Sequence, residues 1–314
     1  MNAVGPLRLR IGTRGSVLAR WQAEWVKARL TAAYPDADIS LTVIRTTGDK
    51  ILDAPLSQVG GKGLFVKEIE EALLAGTVDL AVHSMKDVPT LLPDYLHLAA
   101  ITRREDPSDA LVSRDRIPLA ALPNGATIGT SSLRRQAQLL AFRPDLRIAG
   151  LRGNLDTRLK KLRNGDLDGI VLAAAGLKRL GWGGEITEVI SPDVCLPAIG
   201  QGALGIECRR DDATVNDAVR PLDDADTRAC VTAERALLER LEGGCQVPIA
   251  GLAALTGDRL SLKGLVAGVR GERVIRDELA GPRGEASAIG RTLAERLLAR
   301  GGSALLRELY AEKG

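Results

Sequence analysis

The chain has 314 residues, 45% of them hydrophobic and 26% charged, and a formal net charge of +3; this is the profile of a globular protein with two or three domains, not of a nucleic-acid coat or an acidic tail. Two histidines, and four cysteines without a CxxC pair, argue against a metal site and suit free thiols in a reducing compartment. Eight aromatic residues are too few for base-stacking platforms, no run of about 18 apolar residues offers a membrane span, and residues 1–10 lack the apolar core of a signal peptide. The expectation is a cytoplasmic protein that engages no nucleic acid, metal or membrane.

In chain order, Leu7–Gly12 reads as a strand running into Ser16, a helix N-cap, and an amphipathic helix from Val17 to Tyr34 that Pro35 ends. Ile39–Arg45 alternates as a strand, Asp49–Gly63 is a turn-rich loop, Leu64–Ala75 is helical, and Val78–His83 is a buried strand. A second round follows: strand Ala126–Gly129, helix Ser132–Phe142, strand Leu146–Leu151, helix Leu155–Leu162, strand Gly169–Ala173. Such alternation predicts α/β units with largely parallel sheets. Ile11-Gly12-Thr13-Arg14-Gly15-Ser16 and Ile128-Gly129-Thr130-Ser131-Ser132 echo each other at strand-to-helix junctions, as two similar lobes would. Beyond about Asp223 the texture changes to a long helix, Asp226–Glu242, then short strands (Ile249–Leu255, Leu260–Val269, Glu272–Leu279) and helices (Glu285–Arg300, Ala304–Ala311). These predict a separate α+β domain.

The basic residues divide into 33 Arg and 10 Lys. Compositional bias would give that excess, and so would planar, bidentate recognition of several carboxylates or phosphates; position separates the two. Arg134 and Arg135 lie in the first turn of a helix, where its dipole disfavours cations, Arg14 precedes the Ser16 cap, and Arg152 precedes Asn154, another cap. Each could simply point to solvent. Together, at the carboxyl ends of strands, the three junctions call for a ligand with several negative groups. Gly60-Gly61-Lys62-Gly63 lacks phosphate-loop spacing and no GxGxxG follows the first strand, so carboxylates are at least as good a fit as phosphates.

Two residues could carry chemistry. Asp87, at a strand end beside Lys86 and before Pro89, is placed for general acid–base work, or is a turn-forming aspartate. Cys245 follows paired glycines that end a helix, which leaves its thiol on a loop as a nucleophile or as an inert, half-buried side chain. Cys195, Cys208 and Cys230 stand in apolar or helical contexts and read as packing residues.

Several longer runs carry a resemblance. Ala81-Val82-His83-Ser84-Met85-Lys86-Asp87-Val88-Pro89, Gly60-Gly61-Lys62-Gly63-Leu64-Phe65, Gly129-Thr130-Ser131-Ser132-Leu133-Arg134-Arg135, Leu151-Arg152-Gly153-Asn154, Leu196-Pro197-Ala198-Ile199-Gly200-Gln201-Gly202-Ala203 and Glu242-Gly243-Gly244-Cys245-Gln246-Val247-Pro248 resemble, in order, signatures of the porphobilinogen deaminase (hydroxymethylbilane synthase) family. The resemblance covers residue 7 to about residue 251; the last sixty residues match in length and texture only.

The resemblance implies a transferase of tetrapyrrole biosynthesis that joins four porphobilinogen molecules head to tail, releasing ammonia each time. The primer is a dipyrromethane cofactor held by a thioether to Cys245. The proton-handling aspartate falls on Asp87, which would help protonate the departing amine, stabilise the cationic azafulvene and assist loss of the ring proton. Arg14, Ser16, Lys86, Arg134, Arg135, Arg152 and Arg158, with Thr130, Ser132 and Arg179, would bind substrate and cofactor carboxylates, and Lys62 and Phe65 belong to a lid loop. Many relatives carry lysine where this chain has Gln58. The implied fold is α/β: two lobes resembling type II periplasmic binding proteins with a cleft between them, plus a smaller C-terminal α+β domain. On that basis residues 1–102 with 199–221 form domain 1, 103–198 domain 2 and 222–314 domain 3, in a monomer. A solute-binding protein without chemistry is the rival reading; it has no need of Cys245 or Asp87.

Overall fold

The computed structural model describes residues 7–50, 64–241 and 247–311; Gln58, Lys62 and Cys245, singled out above, lie outside them. In chain order the elements are β1 (Arg8–Arg14), α1 (Val17–Ala33), β2 (Asp38–Ile44), α2 (Thr47–Lys50), α3 (Lys67–Leu74), β3 (Leu80–Ser84) and β4 (Leu96–Ile101). There follow β5 (Asp109–Ser113), β6 (Thr127–Gly129), α4 (Leu133–Phe142), β7 (Arg147–Ala149), α5 (Leu155–Arg163), β8 (Gly169–Ala173), α6 (Ala174–Arg179) and β9 (Glu188–Ile190). The chain ends with β10 (Leu204–Arg209), α7 (Ala213–Val219), α8 (Ala225–Arg240), β11 (Ile249–Thr256), β12 (Arg259–Ala267), β13 (Val274–Pro282), α9 (Ala286–Leu297) and α10 (Ser303–Ala311). No helix among the described residues is long and apolar enough to cross a membrane.

Two compact units emerge, one of residues 7–50, 64–104 and 203–228, the other of residues 105–202, 229–241 and 247–311. The first holds a five-stranded sheet in the order β2-β1-β3-β10-β4. There β1 runs parallel to β2 and β3, while β10 is antiparallel to both of its neighbours. The second unit repeats the plan as β7-β6-β8-β5-β9, with β6 parallel to β7 and β8 and with β5 reversed. The expectation of largely parallel sheets is therefore corrected to two mixed sheets of one topology. The echoed junctions occupy equivalent places in them, β1 into α1 and β6 into α4.

The local causes match in the two lobes. Ser16 caps α1 by accepting a hydrogen bond from the Ala19 N–H at 3.3 Å, and Ser132 caps α4 through the Arg135 N–H at 3.4 Å. Gln22, Ala23, Val26 and Leu30 form the buried stripe of α1 over β1 and β3. Glycines let neighbours close in on β1 and β6: a Cβ on Gly129, the last residue of β6, would lie 2.7 Å from Leu167, and one on Gly12, within β1, 3.1 Å from Val78.

The C-terminal segment builds an antiparallel sheet, β11-β12-β13, covered by α8, α9 and α10 over a core that includes Leu237, Leu262, Leu293 and Leu305. Ala250, Leu265 and Ala267 of this sheet share an apolar cluster with Ala137 of α4 and Leu196, so the smaller C-terminal element packs against the second lobe within one compact unit. The crossing of α8 and α9 is close at Gly290, where a Cβ would stand 2.2 Å from the Ala233 carbonyl oxygen and 2.8 Å from the Ala236 Cβ. Gly290→Ala therefore has to push two helices apart; we expect a loss of about 1–3 kcal/mol in urea unfolding, and an unchanged midpoint would show that the crossing has slack.

Candidate active site

In the first unit the carboxyl ends of β1 and β3 open onto a pocket of about 410 Å³ including its mouth, with Arg14, Ser16, Phe65, Ser84 and Asp87 on its walls and His83 at its floor. Asp87 closes a single 3₁₀ turn, Met85–Asp87, that directly follows β3, and its side chain is half-buried. The half-buried Arg14 guanidinium donates to Asp49 with Nη2–Oδ1 at 2.5 Å, and its Cζ lies 4.0 Å from the centre of the Phe65 ring. Burial works to raise the Asp49 pKa, but hydrogen bonds from Arg14 and Thr46 outweigh it and hold the carboxyl below its usual range. Ser84 accepts a hydrogen bond from Gln22 Nε2 at 2.9 Å, which fixes one wall. Asp49 and Gln22 were not identified from sequence: one lay in an apparent loop, the other inside a helix.

The second unit brings together Thr130, Ser132, Arg134 and Arg135 at the β6–α4 junction, with Leu151–Arg152 beside them. Ser131 makes that link, its hydroxyl accepting from the Leu151 N–H at 2.9 Å and donating to the Leu151 carbonyl at 3.0 Å. Arg158 Nε donates to the Gly153 carbonyl at 2.7 Å, and Arg179 Nη2 to the Gly202 carbonyl at 2.7 Å. Burial pushes the Arg179 guanidinium down to about 10 and lowers Arg152 as well. The Nη2 of Arg152 is buried and has no hydrogen-bond partner among the described residues.

Arg134 and Arg135, read from sequence as binders of a ligand's carboxylates, meet a carboxylate of the chain itself. Each is 6% exposed, and both bind Asp109 at the start of β5, which is fully buried. Arg134 Nη1 meets Asp109 Oδ2 at 2.7 Å, and Arg135 Nη2 meets Oδ1 at 2.7 Å. Arg134 also donates to the Leu196 carbonyl at 2.8 Å, Arg135 to the Val171 carbonyl at 2.9 Å, and Gln201 to Asp109 at 2.9 Å. Burial alone would raise the Asp109 pKa; the two guanidiniums overcome it and keep the carboxyl far below the carboxylate range. An anion for these arginines is thus supplied within the chain, yet two cations against one carboxylate leave a positive charge in excess at the junction. Cys195 hydrogen-bonds the same carboxylate at 3.3 Å, and burial, reinforced by Asp109, pushes its thiol up to about 12, as suits a packing residue.

Taken together, these features define a class: a double α/β protein of repeated topology, with arginines at strand-to-helix junctions and a further α+β element. Residues 9–217 match the model of the porphobilinogen deaminase dipyrromethane cofactor-binding domain, and residues 228–299 that of the porphobilinogen deaminase C-terminal domain. The chain is 56% identical over 307 residues to the porphobilinogen deaminase of Trichlorobacter lovleyi, covering 98% of both chains. It is 59% identical over 301 residues to that of Syntrophotalea carbinolica, covering 96% of both. Among solved structures it is similar to the periplasmic aliphatic sulphonate binding protein of Escherichia coli, with a TM-score of 0.41 and 16% identity over 76% of this chain and 71% of that one. The chain belongs to the porphobilinogen deaminase family.

The Asp109 cluster yields a direct test. Asp109→Asn leaves two buried guanidiniums without a counter-charge, at an expected cost of about 3–5 kcal/mol, read as a lower urea midpoint. A variant as stable as the parent would mean that water reaches and solvates the pair.

Proposed function

We propose that this transferase joins four porphobilinogen molecules head to tail into hydroxymethylbilane, releasing one ammonia per addition, with Asp87 as its proton-handling group and Cys245 as the anchor of a dipyrromethane cofactor. Family membership over both domains carries the activity; what supports the assignment of Asp87 is its place on a pocket wall beside Arg14 and Ser84.

The donors suit the cofactor. Each of its rings bears an acetate and a propionate, and the buried Arg152 Nη2, unmatched by any acceptor among the described residues, is the kind of group a carboxylate completes. Thr130, Ser132, Arg152, Arg158 and Arg179 would hold carboxylates in the second unit, and Arg14, Ser16 and Lys86 in the first. Arg134 and Arg135 contribute through their excess charge over Asp109. When bound, the dipyrromethane supplies a pyrrole α-carbon as nucleophile and a tether through its thioether. Phe65, stacked against Arg14, and Lys62 are read as lid-loop residues.

Asp87 then works by proton balance. In its acid form it gives a proton to the departing aminomethyl nitrogen, and as the carbon–nitrogen bond breaks its carboxylate faces the positive charge left on the pyrrole. When the new carbon–carbon bond forms, the attacking ring carbon sheds its proton, and Asp87 takes it up. One proton is spent and one regained per addition, so a single carboxylate serves every cycle provided the chain moves past it. We read the enzyme as a cytoplasmic monomer that needs no metal ion. The domain reading offered with it is residues 1–102 and 199–221, 103–198 and 222–314.

Intact-protein mass spectrometry tests the anchor. The parent should carry a covalent two-pyrrole adduct that Cys245→Ser lacks, with further pyrrole-sized increments on brief exposure to porphobilinogen; an adduct attached elsewhere would remove Cys245 from that role. Asp87→Asn keeps the shape but not the proton and should slow turnover by roughly 10²–10⁴-fold. Near-parental turnover would take Asp87 out of the mechanism.

A further inference from the structure

Beneath the Asp87 pocket, on the sheet face covered by α3, stand three titratable side chains that the mechanism above does not use. His83, on β3, is 5% exposed and Glu207, on β10, is 0% exposed. The antiparallel register sets Gly205 opposite His83 and Glu207 opposite Ala81, so Glu207 lies one pleat along on the same face. Its Oε2 is 2.9 Å from His83 Nε2. The approach is poorly aligned for a hydrogen bond, and neither Glu207 oxygen has another donor among the described residues.

Glu70 of α3 faces the pair. Burial, and then the charge of Glu207, raise its pKa to about 7, with His83 pulling the other way. The remaining charges on this face are committed elsewhere. Arg10 of β1 pairs with Asp79, Arg209 of β10 with Asp212, Glu68 of α3 with Thr47, and the exposed Glu71 with Lys67. From β4, Glu207 is met by Leu98, while His97 stands opposite Cys208 and contacts Asn216 instead. His83 is the one cation-capable group that the described residues place against Glu207.

A buried carboxylate with no donors is costly, and so is a neutral imidazole beside an ionised one, because a net negative charge then stays out of water. A proton held by the pair removes both costs, and the imidazolium form donates from both ring nitrogens. We propose that His83 and Glu207 retain a shared proton through the working pH range, so that an imidazolium at the pocket floor adds a cation for a carboxylate arm of porphobilinogen, with Glu207 as the positioning residue that keeps it charged. This rests on the reading of the Asp87 pocket as the substrate pocket.

With two histidines in the sequence, imidazole NMR on the full chain resolves the question, and His97→Asn assigns the signals. The His83 ring should be charged at pH 7 in the parent, and Glu207→Gln should leave it less charged at that pH. The same variant should move the alkaline limb of kcat/KM to lower pH, raising KM more than it lowers kcat. A neutral His83 near pH 7 in the parent, or a titration indifferent to Glu207→Gln, overturns the proposal; if the variant does not fold, the parent titration alone decides. A parent that does not consume porphobilinogen would refute the function reading, while the NMR titration would still report on His83 separately.

Discussion

One carboxylate organises the second lobe. Asp109 is removed entirely from water, at a desolvation cost of several kcal/mol for each ion involved, and that cost is offset because its ligands are so completely provided. Arg134 and Arg135 reach it from α4, Gln201 from the segment before β10, and the same guanidiniums extend to carbonyls on β8 and at Leu196. Four pieces of chain distant in sequence are thereby pinned at one point. The orientation of the Thr130–Ser132 junction, and of Arg152 next to it through Ser131, follows from that pin. The first lobe solves the same problem with less burial: Arg14 is held at the end of β1 between Asp49 and the face of Phe65.

The two solutions place different demands on a bound anion. A half-buried, singly paired guanidinium such as Arg14 can exchange its partner at modest cost, since the pair keeps contact with solvent. The Arg134–Asp109–Arg135 cluster cannot, because separating it strands buried charge. It therefore acts on its surroundings through its field, as a fixed excess of one positive charge in a region of low polarity.

Legibility in the sequence tracked the physics of each element. The cap at Ser16, the stripe of α1 and strand β8 could be read because a local rule governs each: a side-chain oxygen before a helix, a 3.6-residue apolar period, an uninterrupted apolar run. Strands β5 and β10 could not. One begins with Asp109 and the other carries Glu207, and an acid in a short apolar stretch reads as a surface or turn position until its buried partner is known. Those two strands are also the reversed members of their sheets, so missing them led directly to the expectation of parallel sheets. The arginine excess divided likewise. Arg14 and Arg152 could be assigned to junctions by position, whereas the binding of Arg134 and Arg135 to Asp109 depends on a contact between residues far apart in sequence.

The reversed strands carry a consequence for synthesis. In the second lobe the reversed strand, β5, is made before its partner β8, so that sheet is complete as soon as β9 emerges from the ribosome. In the first lobe the corresponding strand, β10, pairs Leu204 with Ser84, and the intervening chain includes the whole of the second lobe's sheet. The sheet that carries Asp87 therefore waits, with β3 and β4 lacking the strand that belongs between them, while the later sheet assembles. Closing so long a loop adds little to the equilibrium cost, because loop entropy grows only logarithmically with length. Its cost is in time: two unpaired strand edges stay open during translation. A nascent chain of this family is thus most exposed to mispairing in the interval before residue 204 is made.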